Sequence, residues 1–257
     1  MNNTKKINIL KINNEAWEEV HDSIIVEKPL KIYINEKFYT VMMCTPSEAI
    51  ELTIGFLSSE GVISSMESIE SIEEKFDDRV CVILKEHIKM GFDTIQATTS
   101  GCGKGSIQLR FIEGWGIEAI QSNHEFSFKT ILKLMREFNC KSELFIETGG
   151  VHSCSICDNE GILLFAEDIG RHNALDKVIG KAIMNNINLQ DKLVMTTGRI
   201  SSDIIIKAIK AGIPVIISHS APTKLALEIA ESANLTVIGF ARGFRMNVYC
   251  GANRITR

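Results

Sequence analysis

Of the side chains that can do chemistry, Cys102 stands apart. It sits in Thr98-Thr-Ser-Gly-Cys-Gly-Lys-Gly-Ser106, with glycine on both sides and Lys104 two residues on. Nothing apolar is near it in sequence, so this thiol is expected in an exposed, mobile loop. A neighbouring ammonium favours thiolate over thiol, the form that a nucleophilic, sulfur-accepting or oxidisable cysteine needs. From the residues alone, an incidental surface thiol explains Cys102 equally well. The same stretch is not a phosphate loop, because Gly105 stands where Ser or Thr would bind magnesium and Thr98 replaces the leading glycine.

A second cysteine pattern is Cys154-Ser-Ile-Cys157, with the C-x-x-C spacing of redox and zinc sites. Its flanks read as a strand, where residues three apart point to opposite faces, so two packed cysteines are expected. His152 and Cys154 would share a face, which leaves a mixed-ligand site open. Cys44, Cys81, Cys140 and Cys250 lie in or beside apolar runs and read as packing.

The third set of chemical residues is basic and recurs after predicted strands. Arg199 lies in Thr196-Thr-Gly-Arg-Ile-Ser-Ser202, and Arg242, Phe244 and Arg245 lie in Ala241-Arg-Gly-Phe-Arg245. Forked guanidinium groups and helix N-termini both suit phosphate. Phe244 offers either a stacking surface for a planar ring or a core plug. In Glu167-Asp-Ile-Gly-Arg-His-Asn-Ala-Leu-Asp176, His172 or Asn173 could cap a helix and Asp176 could satisfy its first turn. Arg171 and His172 could equally project into the cleft of Arg199.

The elements that must position these groups follow from periodicity. Residues 24 to 44 read as short strands, Pro46 to Leu57 as a helix stopped by Gly61, and the acidic stretch 60 to 79 as a solvated face. A helix from Ser127 to Asn139 precedes a hairpin through Cys157, the turn Asp158 to Gly161 and the run to Phe165. Beyond it come a helix from Asn173 to Asn185, strand 192 to 196, helix 202 to 211, strand 215 to 218, a helix opened by Pro222, and strand 236 to 240. Such a βαβαβ run implies parallel strands covered by helices, with ligands beyond their carboxyl ends. The reading is thus α/β: an N-terminal α+β lobe, residues 1–125, carrying the Cys102 loop, and a C-terminal α/β core, residues 126–257.

The whole chain sets the frame. Its 257 residues, 45% hydrophobic and 23% charged, suffice for a sizeable core. A net charge of -4 with pI near 5.9 argues against nucleic-acid binding. No stretch suits a signal sequence or a membrane span, so the expected location is cytoplasmic. Seven cysteines, an odd number, then read as free thiols.

Taken together, Thr148-Gly-Gly-Val-His152, Glu167 through Gly180, Thr197-Gly-Arg-Ile-Ser-Ser202, Ala211-Gly-Ile-Pro214, Ser220-Ala-Pro-Thr223 and Gly239-Phe-Ala-Arg-Gly243 resemble the FdhD family of formate dehydrogenase accessory sulfurtransferases. With Glu27-Lys-Pro-Leu30 and the Glu51 to Gly61 helix end, the resemblance covers nearly the whole chain. It implies a cytidine-deaminase-like three-layer α/β/α core and a homodimer. It also implies sulfur taken as a persulfide from a cysteine desulfurase and passed to a molybdenum or tungsten bis-(pterin guanine dinucleotide) cofactor for formate dehydrogenase. By position, Cys102 matches the persulfide cysteine, and Phe240, Ala241, Arg242, Gly243, Phe244 and Arg245 match the cofactor-binding segment, with Arg199 and His172 as further candidates.

The family loop usually reads Cys-Gly-x-Cys, whereas this chain has Cys102-Gly-Lys-Gly105, so a second loop thiol is missing. Two readings follow: transfer through Cys102 alone, or a cofactor-binding chaperone without sulfur chemistry. A zinc nucleobase deaminase is disfavoured, because no Glu follows His172 at H-x-E spacing and no P-C-x-x-C is present.

Overall fold

A computed structural model of the chain describes residues 2–85 and 119–257. Cys102 and the glycine-rich stretch around it lie outside the described residues.

The chain opens with β1 (Thr4–Asn13) and β2 (Ala16–Ile25), an antiparallel pair turned at Asn14, whose φ is 54°. The sequence reading missed this hairpin. Next come β3 (Lys28–Ile34), β4 (Lys37–Cys44), α1 (Ala49–Ser59), β5 (Ile69–Lys75) and β6 (Arg79–Leu84), with the four strands ordered β4-β3-β6-β5. Alternate residues of β3 and β6 (Leu30, Ile32, Ile34, Val80, Val82, Leu84) point inward onto α1, the period of two that a one-sided sheet requires. The acidic stretch 60 to 79 is therefore not simply a solvated face. It contains the edge strand β5, whose Ile69 and Ile72 turn inward while its glutamates face water.

In the C-terminal part, β7 (Phe126–Ser127), α2 (Phe128–Lys141) and α3 (Glu143–Thr148) lead into the hairpin β8 (His152–Cys157) and β9 (Ile162–Asp168). Then follow α4 (Arg171–Met184), β10 (Leu193–Thr196), α5 (Ser202–Lys210), β11 (Val215–Ser218), α6 (Lys224–Ser232), β12 (Thr236–Arg242), β13 (Arg245–Cys250) and β14 (Ile255–Thr256). The main sheet runs β13-β12-β11-β10-β8-β9. As expected, β10, β11 and β12 are parallel; β8 and β13 run antiparallel to their neighbours, so the sheet is mixed. Residues of α4, α5 and α6 pack on one face and those of α2 on the other.

Two local expectations need correction. Pro222 does not open α6, because it lies in the preceding loop, where it bridges Ile200; Thr223 is the N-cap, its hydroxyl accepting from Ala226 N at 3.3 Å. Cys140 is not packed, since the amphipathic α2 buries Ile131, Leu134, Met135 and Phe138 and leaves the Cys140 thiol exposed.

The lobe and the core meet where α1 crosses α4. A Cβ on Gly55 would stand 1.8 Å from the Asp176 carbonyl oxygen, and one on Gly180 would stand 1.9 Å from that of Glu51. The helices are thus in backbone contact, which only glycine at both positions permits. Charges buried beside this crossing reinforce it. Ser59 Oγ donates to Asp176 Oδ1 at 2.8 Å, Lys207 Nζ reaches both Asp176 oxygens, and Lys210 Nζ donates to the Ser59 carbonyl at 2.6 Å. Asp176 therefore does not satisfy the first turn of α4 as its sequence position suggested; it ties α4 to α1 and α5.

Since neither backbone can yield, Gly180→Ala should destabilise the protein by about 3 kcal/mol or more. Chemical denaturation checks this, and a change near zero would show that the crossing can open.

Candidate functional site

Strand direction brings one end of every strand in the main sheet to a single edge. There β10, β11 and β12 finish, β8 and β13 start, and β9 ends at Asp168, which pairs with His152. The turns beyond the parallel strands interlock through their backbones. Ile200 N donates to the Ala221 carbonyl (3.1 Å), Thr223 N to that of Ile200 (3.0 Å), and Phe240 N to that of Ser220 (3.2 Å). The Ser218 hydroxyl, donating to the Gly198 carbonyl at 2.6 Å and accepting from Ser220 N at 2.9 Å, staples two of the turns together. The expected convergence of these turns is what the structure has.

On the β12 side, Phe240 has φ 53°, and the ladder shifts register between Gly239 and Arg242. A left-handed non-glycine residue costs on the order of 1–3 kcal/mol, so such strain persists only where neighbours enforce it. Here the neighbours are close: a Cβ on Gly239 would lie 3.0 Å from the Ser220 carbonyl oxygen and 2.9 Å from the Tyr249 ring. The Arg242 guanidinium lies 6.0 Å from the Phe240 ring centroid. Gly243 turns the hairpin with φ 59°, and Arg245 opens β13. Phe244 is 91% exposed at the tip and so is not a core plug, while the Ala241 methyl is buried in the core. Near Arg242, His219 Nε2 meets Met135 Sδ at 2.9 Å; burial, then Arg242, lowers its pKa below the usual histidine value.

On the β10 side the cluster comprises His152, Arg171, His172, Thr197 and Asp203. His152 Nδ1 lies 3.2 Å from Thr197 Oγ1, which also accepts from Ser153 N at 3.1 Å. The Arg171 stem packs over Gly198, where an added Cβ would come within 2.9 Å of Arg171 Cβ. His172 Nε2 stands 4.0 Å from Asp203 Oδ2. Neither His172 nor Asn173 caps α4: its N-cap is Gly170, without a side-chain cap bond, and Asn173 turns away to Asp168. Arg171 Nε, His172 Nε2 and Ser201 Oγ are buried without a hydrogen-bond partner among the described residues. Buried polar atoms are rarely left so, and a bound ligand's oxygens are one way to complete them. Arg199 projects from the turn between β10 and α5 and is exposed.

The C-x-x-C pair divides as its strand period requires. Cys154 is in the cluster with α4 and α5, and Cys157 is in the cluster with α2. Burial pushes both thiols up to about 12, so they are neutral packing groups. Among the described residues no group of three or more His, Cys, Asp or Glu is placed to hold a metal ion, and no helix is long and apolar enough to cross a membrane.

The chain is a mixed α/β protein with an arginine-bearing strand edge, and comparison with known proteins shows its family. The chain belongs to the FdhD/NarQ family, whose model matches residues 25–256. It is 37% identical over 246 residues to the sulfur carrier protein FdhD of Listeria monocytogenes serotype 4b (strain F2365), covering 94% of each chain. It is 39% identical over 240 residues to the protein of that name from Bacillus subtilis (strain 168), covering 92% of each. A crystal structure assigned as a formate dehydrogenase accessory protein from Desulfotalea psychrophila matches with a TM-score of 0.82 at 27% identity, over 98% of this chain and 99% of that one.

The sequence reading placed His172, Arg199 and the segment 240–245 at this edge, left His152 only an open place in a mixed-ligand site with Cys154, and assigned no role to Thr197 or Ser201. The positions of Thr197 and Ser201 beside Arg199, just past a strand, were the available signal.

Burial, then Arg171 and Lys207, lowers the His172 pKa from 6.5 to about 4, against the opposing pull of Asp203. The fold therefore favours the neutral ring. That stabilisation is complete above pH 6.5 and is lost as pH falls toward 4, where the unfolded chain binds the extra proton. Ring NMR should show His172 titrating near 4, and His172→Gln should remove its share of the acid destabilisation. A midpoint near 6.5 would contradict the buried geometry.

Proposed function

We propose that the protein is a sulfur carrier for formate dehydrogenase: Cys102 accepts sulfane sulfur from a cysteine desulfurase, and the strand edge holds the recipient cofactor. The cargo on this reading is a molybdenum or tungsten bis-(pterin guanine dinucleotide). The observation that carries it is the edge itself, with Arg242 and Arg245 flanking the exposed Phe244. Guanidinium forks suit a diphosphate, and an exposed ring suits a planar base. Membership of the FdhD/NarQ family supports the sulfur-carrier role, and the accessory-protein neighbour supports formate dehydrogenase as client. The three-layer core is read as cytidine-deaminase-like in architecture, without a deaminase's H-x-E and P-C-x-x-C.

The chemistry balances with the Cys102 thiol alone. The Cys102 thiolate attacks the outer sulfur of the donor persulfide; the new S–S bond forms as the old one breaks, and the donor cysteine leaves as thiolate. Delivery as sulfide takes two electrons, supplied by the acceptor or by an external thiol. Gly105 therefore does not prevent transfer, although it excludes a two-cysteine relay within Cys102-Gly-Lys-Gly105. A second copy of the chain is the proposed assembly partner, and the open apolar residues Leu10, Ile12 and Trp17 of the β1–β2 hairpin support it.

The chaperone alternative is separated by Cys102→Ala. Sulfur transfer predicts a folded variant that no longer supports formate dehydrogenase activity in cells; a pure chaperone predicts full support. For the edge, replacing Arg242 and Arg245 together by Ala should weaken GDP binding at least about tenfold, the cost of losing charged hydrogen bonds. Unchanged affinity in isothermal titration would place the cargo elsewhere.

A further inference from the structure

We propose that Asp168 is a positioning residue: it holds the first turn of α4, and hence Arg171 and His172, at the strand edge and sets that edge's register against the N-terminal lobe. This deepens the cargo-binding reading above, but the placement of the turn can be measured without any ligand.

The carboxylate is fully buried at the end of β9 and receives donors from two directions. Toward α4, Oδ1 accepts from Gly170 N at 3.0 Å and from Asn173 Nδ2 at 2.8 Å. Toward the lobe, Oδ2 accepts from Thr45 N at 3.1 Å and Thr45 Oγ1 at 3.0 Å, and pairs with Lys177 Nζ at 2.7 Å. Lys177, also fully buried, donates in addition to Thr45 Oγ1 and the Glu167 carbonyl. Asn173 donates to the Met43 carbonyl at 2.8 Å, which closes the link to β4.

An ionised carboxylate has about four acceptor sites. Five donors leave Asp168 no acceptor site for a ligand, so its part is positioning. What the five bonds determine is geometry. Gly170 and Asn173 bracket Arg171 and His172, whose Nε and Nε2 atoms are buried at the strand edge without a hydrogen-bond partner among the described residues. α4 lacks a side-chain cap, and Asp168 holds its start from outside the helix, through the backbone N–H of the N-cap residue Gly170 and the side chain of Asn173. The same carboxylate grips Thr45, just past β4, so the lobe and the strand edge cannot shift independently.

Asp168→Asn preserves volume but sets an amide donor against donors on one side, whichever way it flips. We expect a folded variant in which the His172 ring titrates closer to 6.5, as its turn opens to water, and in which GDP binding falls about tenfold. If that variant does not fold, Asn173→Ala keeps the buried ion pair and should move both readouts in the same direction. Ser59→Ala is the control: it removes a buried lobe-to-α4 hydrogen bond away from the first turn, so it should lower the melting temperature without moving either readout. The proposal is overturned if folded Asp168→Asn or Asn173→Ala leaves the His172 titration unchanged, or if Ser59→Ala shifts it equally. Absence of GDP binding by the unaltered protein would defeat the cargo reading alone, and the titration would still decide the role of Asp168.

Discussion

The α1–α4 crossing is the constraint from which the rest of the arrangement follows. Two glycines bring the backbones into contact, and the carbonyl oxygens of Glu51 and Asp176 occupy the space that side chains would otherwise fill. Contact this close leaves no room for water, so every polar group at the junction must find a protein partner. That explains why α4 carries Asp176 and Lys177 on buried faces: the helix is enclosed on both sides, by α1 and by the main sheet, its charges are paired with Lys207 and Asp168 of the core, and Ser59 and Thr45 of the lobe hydrogen-bond to them. Removing one member of such a buried pair typically costs about 3–5 kcal/mol. The lobe and core are therefore locked together by geometry and charge at once.

A locked junction matters because α4 begins at the functional edge. Its last turns are held by the lobe through Glu48 and Lys181, its middle by Gly180 and Asp176, and its first turn by Asp168. The strand edge then presents two neighbouring clusters, histidine-rich beside β10 and arginine-rich beside β12, on turns that hydrogen-bond to one another. Strain at Phe240 coincides with this edge, as do atoms of Arg171, His172 and Ser201 that have no hydrogen-bond partner among the described residues. Natural proteins tolerate such departures mainly where function requires them.

Much of this was legible from residues alone. The parallel β10–β11–β12 run, the hairpin around Cys157 and the opposite facing of Cys154 and Cys157 all followed from period and turn chemistry. So did the gathering of Arg199, Arg242 and Arg245 at strand ends, because strand direction in βαβ units fixes which turns share an edge. Other features depend on contacts distant in sequence. Asp176 and Asn173 looked like cap residues because a cap is the local use of such side chains; their partners, Ser59, Met43 and Asp168, are set by tertiary packing. Gly55 and Gly180 likewise look like ordinary small residues until the crossing makes them obligatory. The β1–β2 hairpin was missed although Asn13-Asn14 is a turn signal, and β5 was missed because an edge strand with one inward face reads as a charged surface.

The central claim joins the cleft to a reactive sulfur on Cys102, and the most direct measurement is of that sulfur. Purified protein incubated with a cysteine desulfurase and cysteine, then alkylated, digested and mapped by mass spectrometry, should carry one added sulfur on Cys102 and none on the buried Cys154 or Cys157. A chain that emerges without persulfide on Cys102, while the donor is charged, would contradict the account.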